Sequence, residues 1–151
     1  MVISNMRVQI VYHDKEMPKL ELVGGAKSNC YDLYTSEEVS IKAGESKQIP
    51  LGVSMRLPDG YEAHLAPRSS TFKNFGIMQT NSFGIIDNSY SGTNDIWKFQ
   101  AYAVRDTTIP KYSRICQFRI EKIQPEFDFE EVEFLGGVQR GGFGSTGKGV
   151  E

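Results

Sequence analysis

The sequence predicts an all-β fold, a sandwich or jelly-roll barrel with one short helix and a flexible C-terminal arm. Three observations predict it. Apolar and polar residues alternate at period two through most of the chain, and only one stretch carries clear helix start and stop signals. Gly, Pro, Asn and Asp interrupt the apolar runs at close intervals, as expected for short strands joined by turns. The last dozen residues hold Gly141, Gly142, Gly144, Gly147 and Gly149, with too little apolar surface to form a core.

In chain order, Val8, Ile10 and Tyr12 form a first short strand. Thr35-Ser36-Glu37-Glu38 has the form of a capping box, but its strand-like surroundings make it a loop. Val39 and Ile41 give the next strand. Ile49, Leu51, Val53, Met55 and Leu57 then share one face of a half-buried strand, with Pro50, Gly52, Ser54, Arg56 and Pro58 between them. Pro58-Asp59-Gly60 is a turn, and Tyr61, Ala63 and Leu65 resume the alternation, so the two runs read as a hairpin. The helix runs from Ser69 to Phe75, with an N-cap hydroxyl at its start and Gly76 to end it. Trp97, Phe99, Ala101 and Ala103 make a later strand, and Cys116, Phe118 and Ile120 another. Residues 125–133 are acidic and aromatic and lead from the barrel into the tail. The expected division is a barrel over residues 1–135 and a glycine-rich arm over 136–151 of the same domain.

A chain of 151 residues supports one domain with a real core and is too short to expect two. Its hydrophobic content of 39% and charged content of 24% are those of a soluble globular protein. A net charge of -2 argues against sequence-independent binding to nucleic acid, which needs a basic surface. No apolar run approaches a membrane span, and residues 1–9 lack a signal-peptide core, so neither membrane nor export is expected. Cys30 and Cys116 lie far apart without metal-ligand spacing, which favours reduced thiols in the cytoplasm. His13 and His64 are isolated, leaving little from which to build a His/Cys metal site or a Ser-His-Asp triad.

Five segments carry chemistry. In Ser28-Asn29-Cys30-Tyr31-Asp32-Leu33 an acid lies inside an apolar strand, where an edge charge is the plainer reading. Ala66-Pro67-Arg68-Ser69-Ser70 places a cation and two hydroxyls at the expected helix N-terminus, which favours an anion there or a simple cap. The stretch from Asn81 to Gly92 is richest. Asn81 offers donor and acceptor, Gly84 allows close backbone approach, and Asp87 follows two apolar residues just before a turn. A plain hairpin would also use Asp87 and Asn88 as turn residues. In Arg114-Ile115-Cys116-Gln117, Gln117 interrupts an apolar strand. Finally, Arg140-Gly141-Gly142-Phe143-Gly144-Ser145-Thr146-Gly147-Lys148 mixes one aromatic ring with hydroxyls and cations, which suits an arm over a ligand with a flat ring and phosphates. This tail nearly matches a P-loop, but Gly149 stands where Ser or Thr is needed, and only Val150 and Glu151 follow, too few for the required helix.

Taken in order, these five segments resemble the five motifs of the homotrimeric dUTPase family. The matching residues are Tyr31-Asp32-Leu33, then Pro67-Arg68-Ser69-Ser70 with Lys73 and Gly76, then Gly84-Ile85-Ile86-Asp87 with Tyr90 and Gly92. Arg114-Ile115-Cys116-Gln117 and the stretch Gly141 to Gly147 complete the set. The resemblance implies a jelly-roll barrel of the β-clip type and a homotrimer with shared active sites. It implies hydrolysis of dUTP to dUMP and pyrophosphate with Mg2+. Asp87 would hold the attacking water and accept its proton, and Asp32 would position the metal through its waters. Arg68, Ser69, Ser70 and Gln117 would hold phosphate oxygens. Asn81 and the backbone around Gly84 and Ile86 would read the uracil edge, and Tyr90 would wall off a 2′-hydroxyl. Phe143 would stack on the uracil, with Arg140, Gly144, Ser145 and Thr146 near the terminal phosphates.

The chain departs from the family pattern in places. Asn29-Cys30 replaces the usual Ala-Gly, Ser70 replaces a Gly, and Arg140 stands three residues before Phe143 where the family places its arginine five before. Two alternatives belong beside the main reading. The related dCTP deaminases share the barrel, but Gly92-Thr93-Asn94-Asp95-Ile96-Trp97 lacks their glutamate. A nucleotide-sensing regulator that binds a protein partner could use the same fold.

Overall fold

In a computed structural model of the chain, the residues described are 6–22 and 29–142. Eleven strands and one helix lie among them. They are β1 (Gln9–Tyr12), β2 (Tyr31–Tyr34), β3 (Val39–Ile41), β4 (Ser46–Pro50), β5 (Val53–Arg56) and β6 (Tyr61–Pro67). Then come α1 (Thr71–Phe75), β7 (Ile77–Gln79), β8 (Gly84–Ile86), β9 (Lys98–Ala103), β10 (Thr107–Ile109) and β11 (Arg114–Lys122). The strands pair antiparallel in a four-stranded sheet of order β2-β11-β6-β8, a three-stranded sheet β4-β9-β7, and the pairs β1-β5 and β10-β3. This is the all-β, jelly-roll-like architecture expected, with one short helix. Alternation drives it: every second residue of β6, β9 and β11 faces a single core that includes Leu33, Ile49, Leu65, Trp97, Phe99 and Phe118.

The run from Ile49 to Leu57 is not one strand. All five apolar residues are buried, as their spacing requires, but the chain breaks at Gly52, whose φ is 70°. A Cβ there would stand 2.9 Å from Ser36 Cβ, so only glycine fits both the backbone and the space. The corner is held from both sides by one residue: Leu51 N–H donates to the Trp97 carbonyl and Trp97 N–H to that of Val53, both at 2.9 Å. Ile49 and Val53 therefore serve different sheets.

The expected hairpin is also absent. Pro58-Asp59-Gly60 does turn the chain, with Tyr61 N–H bonded to the Pro58 carbonyl, but β5 pairs with β1 while β6 pairs with β11 and β8. The turn is a corner between sheets. Short-range alternation cannot distinguish the two, because both keep the same residues inside.

The helix lies where expected, and Gly76 ends it with φ 63°. Its N-cap differs. Ser70 makes no side-chain capping bond; the Thr71 hydroxyl instead accepts from Arg68 N–H and donates to the Ile115 carbonyl, each at 2.8 Å. That buried hydroxyl ties the start of α1 to β11. The stretch Thr35 to Glu38 is a loop, as read from the sequence. Beyond β11, residues 123–142 contain neither helix nor strand, and Phe129, Phe134 and Leu135 are 92%, 85% and 86% exposed.

Candidate active site

The four-stranded sheet has a core face and an opposite face; Asp32 and Gln117 fall on the latter, whereas Gly84 and Ile86 are in register with the core residues Leu65 and Ala63. The register aligns Asp32, Gln117 and Ala66 in one row across β2, β11 and β6. Arg119, His64 and Ile85 form the next row, and Glu121 and Glu62 the one after. Asp87 follows Ile86, which pairs with Ala63, so it leaves the sheet near Glu62.

At one end stands a cluster of a carboxylate, a guanidinium and an amide. Asp32 is almost buried, and its Oδ1 meets Arg68 Nε at 3.2 Å. Arg68 Nη1 also donates to the Arg114 carbonyl at 3.3 Å, and Gln117 Nε2 donates to the Pro67 carbonyl at 3.1 Å. The arginine is thus aimed by a carboxylate and a carbonyl before any ligand arrives, which lowers the entropy lost on binding an anion. Ser69 is exposed and Ser70 half-buried beside it. Cys116 lies beneath, and burial, then the Asp32 charge, push its thiol well above the ordinary range despite the opposing Arg68. It remains a neutral thiol, unsuited to act as a nucleophile.

The second cluster surrounds a cavity of about 320 Å³. Asn81, Gly84, Ile86 and Tyr90, all singled out in the sequence, line it together. Gly84 lies opposite Leu65, and a Cβ there would stand 3.4 Å from Leu65 Cβ and 3.6 Å from Asn81 Nδ2. The turn entering β8 is tight: Ser82 has φ 64°, and Phe83 N–H bonds the Asn81 carbonyl at 2.7 Å. Tyr90 is fixed by its hydroxyl, which donates to the Ile96 carbonyl at 2.8 Å, and by its N–H on the Asp87 carbonyl at 3.1 Å. Asn88 stitches the same loop to the core by bonding both the N–H and the carbonyl of Leu57.

Asp87 sits at the edge of this loop, exposed. Its Oδ1 accepts from both the hydroxyl and the N–H of Ser89. These two bonds, the hydroxyl first, hold its carboxyl below the ordinary carboxylate range. The group is ionised at neutral pH, and Oδ2 carries no hydrogen bond among the described residues. A base with one oxygen anchored and the other open is equipped to accept a proton from water.

Sequence reasoning missed other lining residues, namely Gln48, Lys98 and Gln100. They lie on the outward face of β4 and β9, where a binding wall and a solvated face give the same pattern. Of the arm, Arg140 is exposed, while Phe143, Gly144, Ser145 and Thr146 lie outside the described residues. Among the described residues no three His, Cys, Asp or Glu side chains gather as a metal cage.

Asp87 and Arg68 are well apart within one chain. Arg68 follows the end of β6 and lies six residues from Glu62, which adjoins Ala63, the partner of the Ile86 that precedes Asp87; six residues correspond to roughly 20 Å of strand.

The comparisons with known proteins fit this arrangement. A family model described as dUTPase matches residues 16–147. The chain belongs to the dUTPase family. The SPbeta prophage-derived deoxyuridine 5'-triphosphate nucleotidohydrolase YosS of Bacillus subtilis is 54% identical over 142 residues, covering 94% of this chain and 99% of its own. The deoxyuridine 5'-triphosphate nucleotidohydrolase of Finegoldia magna is 35% identical over 147 residues, covering 94% and 99%. Two solved dUTPases share the fold. That of Staphylococcus bacteriophage 80alpha with dUPNHPP superposes with a TM-score of 0.73 at 23% identity, covering 95% of this chain and 99% of that one. A mutant dUTPase from phage phi11 of S. aureus, with a structural Mg(II) ion, gives 0.72 at 17% identity, covering 85% and 97%. In this dUTPase the Asp32, Arg68 and Gln117 cluster and the cavity lined by Asn81, Gly84, Ile86 and Tyr90 occupy different parts of the four-stranded sheet and its flanking loops.

Proposed function

We propose that the protein hydrolyses dUTP to dUMP and pyrophosphate, limiting dUTP and supplying dUMP for thymidylate synthesis. One observation carries the reading: Asp87 is an ionised, half-anchored carboxylate on the loop that, with Tyr90, borders a cavity lined by Asn81 and Gly84. A water held by Oδ2 attacks the α-phosphorus. The new bond forms from water oxygen to phosphorus, the bond to the bridging oxygen breaks, pyrophosphate leaves with those electrons, and Asp87 takes the water's proton. Uracil enters the cavity, where Asn81 and the backbone of Gly84 and Ile86 meet its edge, and Tyr90 lies under the sugar. Arg68, Ser69, Ser70 and Gln117 hold phosphate oxygens, and their charge and dipoles stabilise the transferring group.

Mg2+ fits the donor set. A single carboxylate, Asp32, supports a cation that prefers oxygen ligands and keeps most of its waters, and no protein cage is required when a triphosphate supplies the rest. Bound with the triphosphate, the ion supplies charge neutralisation at the phosphates.

Because roughly 20 Å of strand separates Asp87 from Arg68, Asp87 works on a phosphate held by the Arg68 of another copy. A closed homotrimer with shared sites satisfies both ends of every chain, and the exposed Phe127, Phe129 and Phe134 beyond β11 supply apolar surface for such an assembly. The arm over residues 136–151 then closes the site, with Phe143 on the uracil ring and Arg140, Gly144, Ser145 and Thr146 toward the terminal phosphates. No helix among the described residues is long and apolar enough to cross a membrane, and we place the reaction in the cytoplasm of the cell or of an infected host.

Pyrophosphate release measured with dUTP, dCTP, dTTP and UTP in the presence of Mg2+ tests this reading. Turnover of dUTP with little of the other three is expected. Ammonia release from dCTP would identify a deaminase instead.

A further inference from the structure

Asn81 alone cannot tell uracil from cytosine. A carboxamide presents an acceptor beside a donor, which suits the N3–H and O4 of uracil. Rotated by half a turn, the same group presents donor beside acceptor, which suits the N3 and N4 amine of cytosine. Discrimination needs something that fixes which end of the amide is which.

Gln79 has the required chemistry. It closes β7, is 8% exposed, and is absent from the family motifs quoted above. Its Nε2 donates to the Leu65 carbonyl at 3.2 Å, which fixes the amide orientation, since a carbonyl oxygen accepts only from the nitrogen end. Its Oε1 is buried and has no hydrogen-bond partner among the described residues, an expensive state for an acceptor in the interior. The Asn81 amide borders the same glycine as the Gln79 amide. The position of a Cβ on Gly84 would lie 3.7 Å from Gln79 Nε2 and 3.6 Å from Asn81 Nδ2, so both amides flank one glycine at the edge of the base cavity.

We propose that Gln79 is a positioning residue for base selection: its Oε1 accepts a hydrogen from Asn81 Nδ2 when the base is bound. Asn81 Oδ1 is then turned to accept from uracil N3–H, while the second hydrogen of Nδ2 reaches O4. The flipped amide that would read cytosine sets Oδ1 of Asn81 against Oε1 of Gln79, two acceptors with no proton between them. Cytosine is rejected by a residue that never touches it.

The inference rests on Asn81 reading the base, and the experiment separates the two. kcat/KM is measured for dUTP and dCTP with wild type, Asn81→Ala, Gln79→Met and Gln79→Leu, alongside Tm. Gln79→Met, of similar size and without the amide, should lower the dUTP to dCTP ratio about 10- to 100-fold, with KM for dUTP rising more than kcat falls. A purely structural role would lower Tm and affect both nucleotides alike; a ratio unchanged in both Gln79 variants overturns the inference. If Asn81→Ala also leaves the ratio unchanged, the base-reading placement of Asn81 itself fails. If Asn81→Ala collapses the ratio while the Gln79 variants keep it, only the positioning role is lost. Should neither Gln79 variant fold, a crystal structure of the native enzyme with a non-hydrolysable dUTP analogue decides: Asn81 Nδ2 within hydrogen-bond distance of Gln79 Oε1 supports the lock, and any other donor on Oε1 overturns it.

Discussion

Asp87 shows what a single residue contributes beyond its type. The sequence identifies a carboxylate before a turn; the structure adds that Ser89 anchors one of its oxygens and keeps it ionised. Asp87→Asn should therefore reduce kcat by about 10²- to 10⁴-fold while dUTP binding, measured by calorimetry, changes little. Retained turnover in that variant would falsify the base assignment. Ser89 makes a second, sharper prediction. Its hydroxyl is the largest cause of the depressed Asp87 pKa, so Ser89→Ala should raise that pKa and move the acid limb of the kcat/KM profile to higher pH. The sign for stability follows from the same depression: the Ser89 bonds stabilise the fold above the unfolded carboxylate pKa, and that contribution disappears as pH falls through the lower folded value. An acid limb that stays in place in Ser89→Ala would show that another group controls it. None of this was legible in the sequence, because Ser89 looks like any turn residue until its hydroxyl is seen on Oδ1.

At the level of elements, the periods were legible and the pairings were not. The helix stop at Gly76 was expected, and its cause goes beyond backbone freedom. A Cβ there would stand 2.7 Å from Arg105 Cγ, and Arg105 Nη2 caps the helix by donating to the carbonyls of Lys73 and Asn74. Gly76→Ala thus strains a left-handed backbone and displaces a cap, and should cost about 2 kcal/mol in urea denaturation. A loss below about 0.5 kcal/mol would mean that Arg105 moves aside freely. The run from Ile49 to Leu57 teaches the opposite lesson. Its alternation correctly buried every apolar residue, yet Gly52 divides it between two sheets and β6 finds β11 and β8 instead of β5. Burial face is a property of local sequence. Strand partner is decided by which distant strand completes the ladder.

For the whole molecule, the separation of the Arg68 and Asp87 clusters along β6 makes a prediction that no single-chain site could meet. Arg68→Ala and Asp87→Asn should each be nearly inactive alone. Unfolded, mixed in equal amounts and refolded together, they should recover activity, because about a quarter of the sites in a randomly mixed closed ring pair an intact Asp87 with an intact Arg68. Refolding each variant alone gives the baseline. No recovery in a mixture shown by mass spectrometry to contain hybrid assemblies would place both clusters in one subunit.

The amino-acid sequence by itself determined the β alternation, the single short helix and the residue types at the site, because each depends on period, turn chemistry and functional groups that are local. The ordered motifs carried the family with them. Tertiary structure alone decided that Asp32 is aimed at Arg68, that Asn81, Gly84, Ile86 and Tyr90 share one cavity, and that Gln79, whose Nε2 borders Gly84, keeps a buried amide oxygen without a hydrogen-bond partner among the described residues. Those facts depend on sheet register and on which buried polar atoms find partners. Both are settled only when residues distant in the chain are packed together.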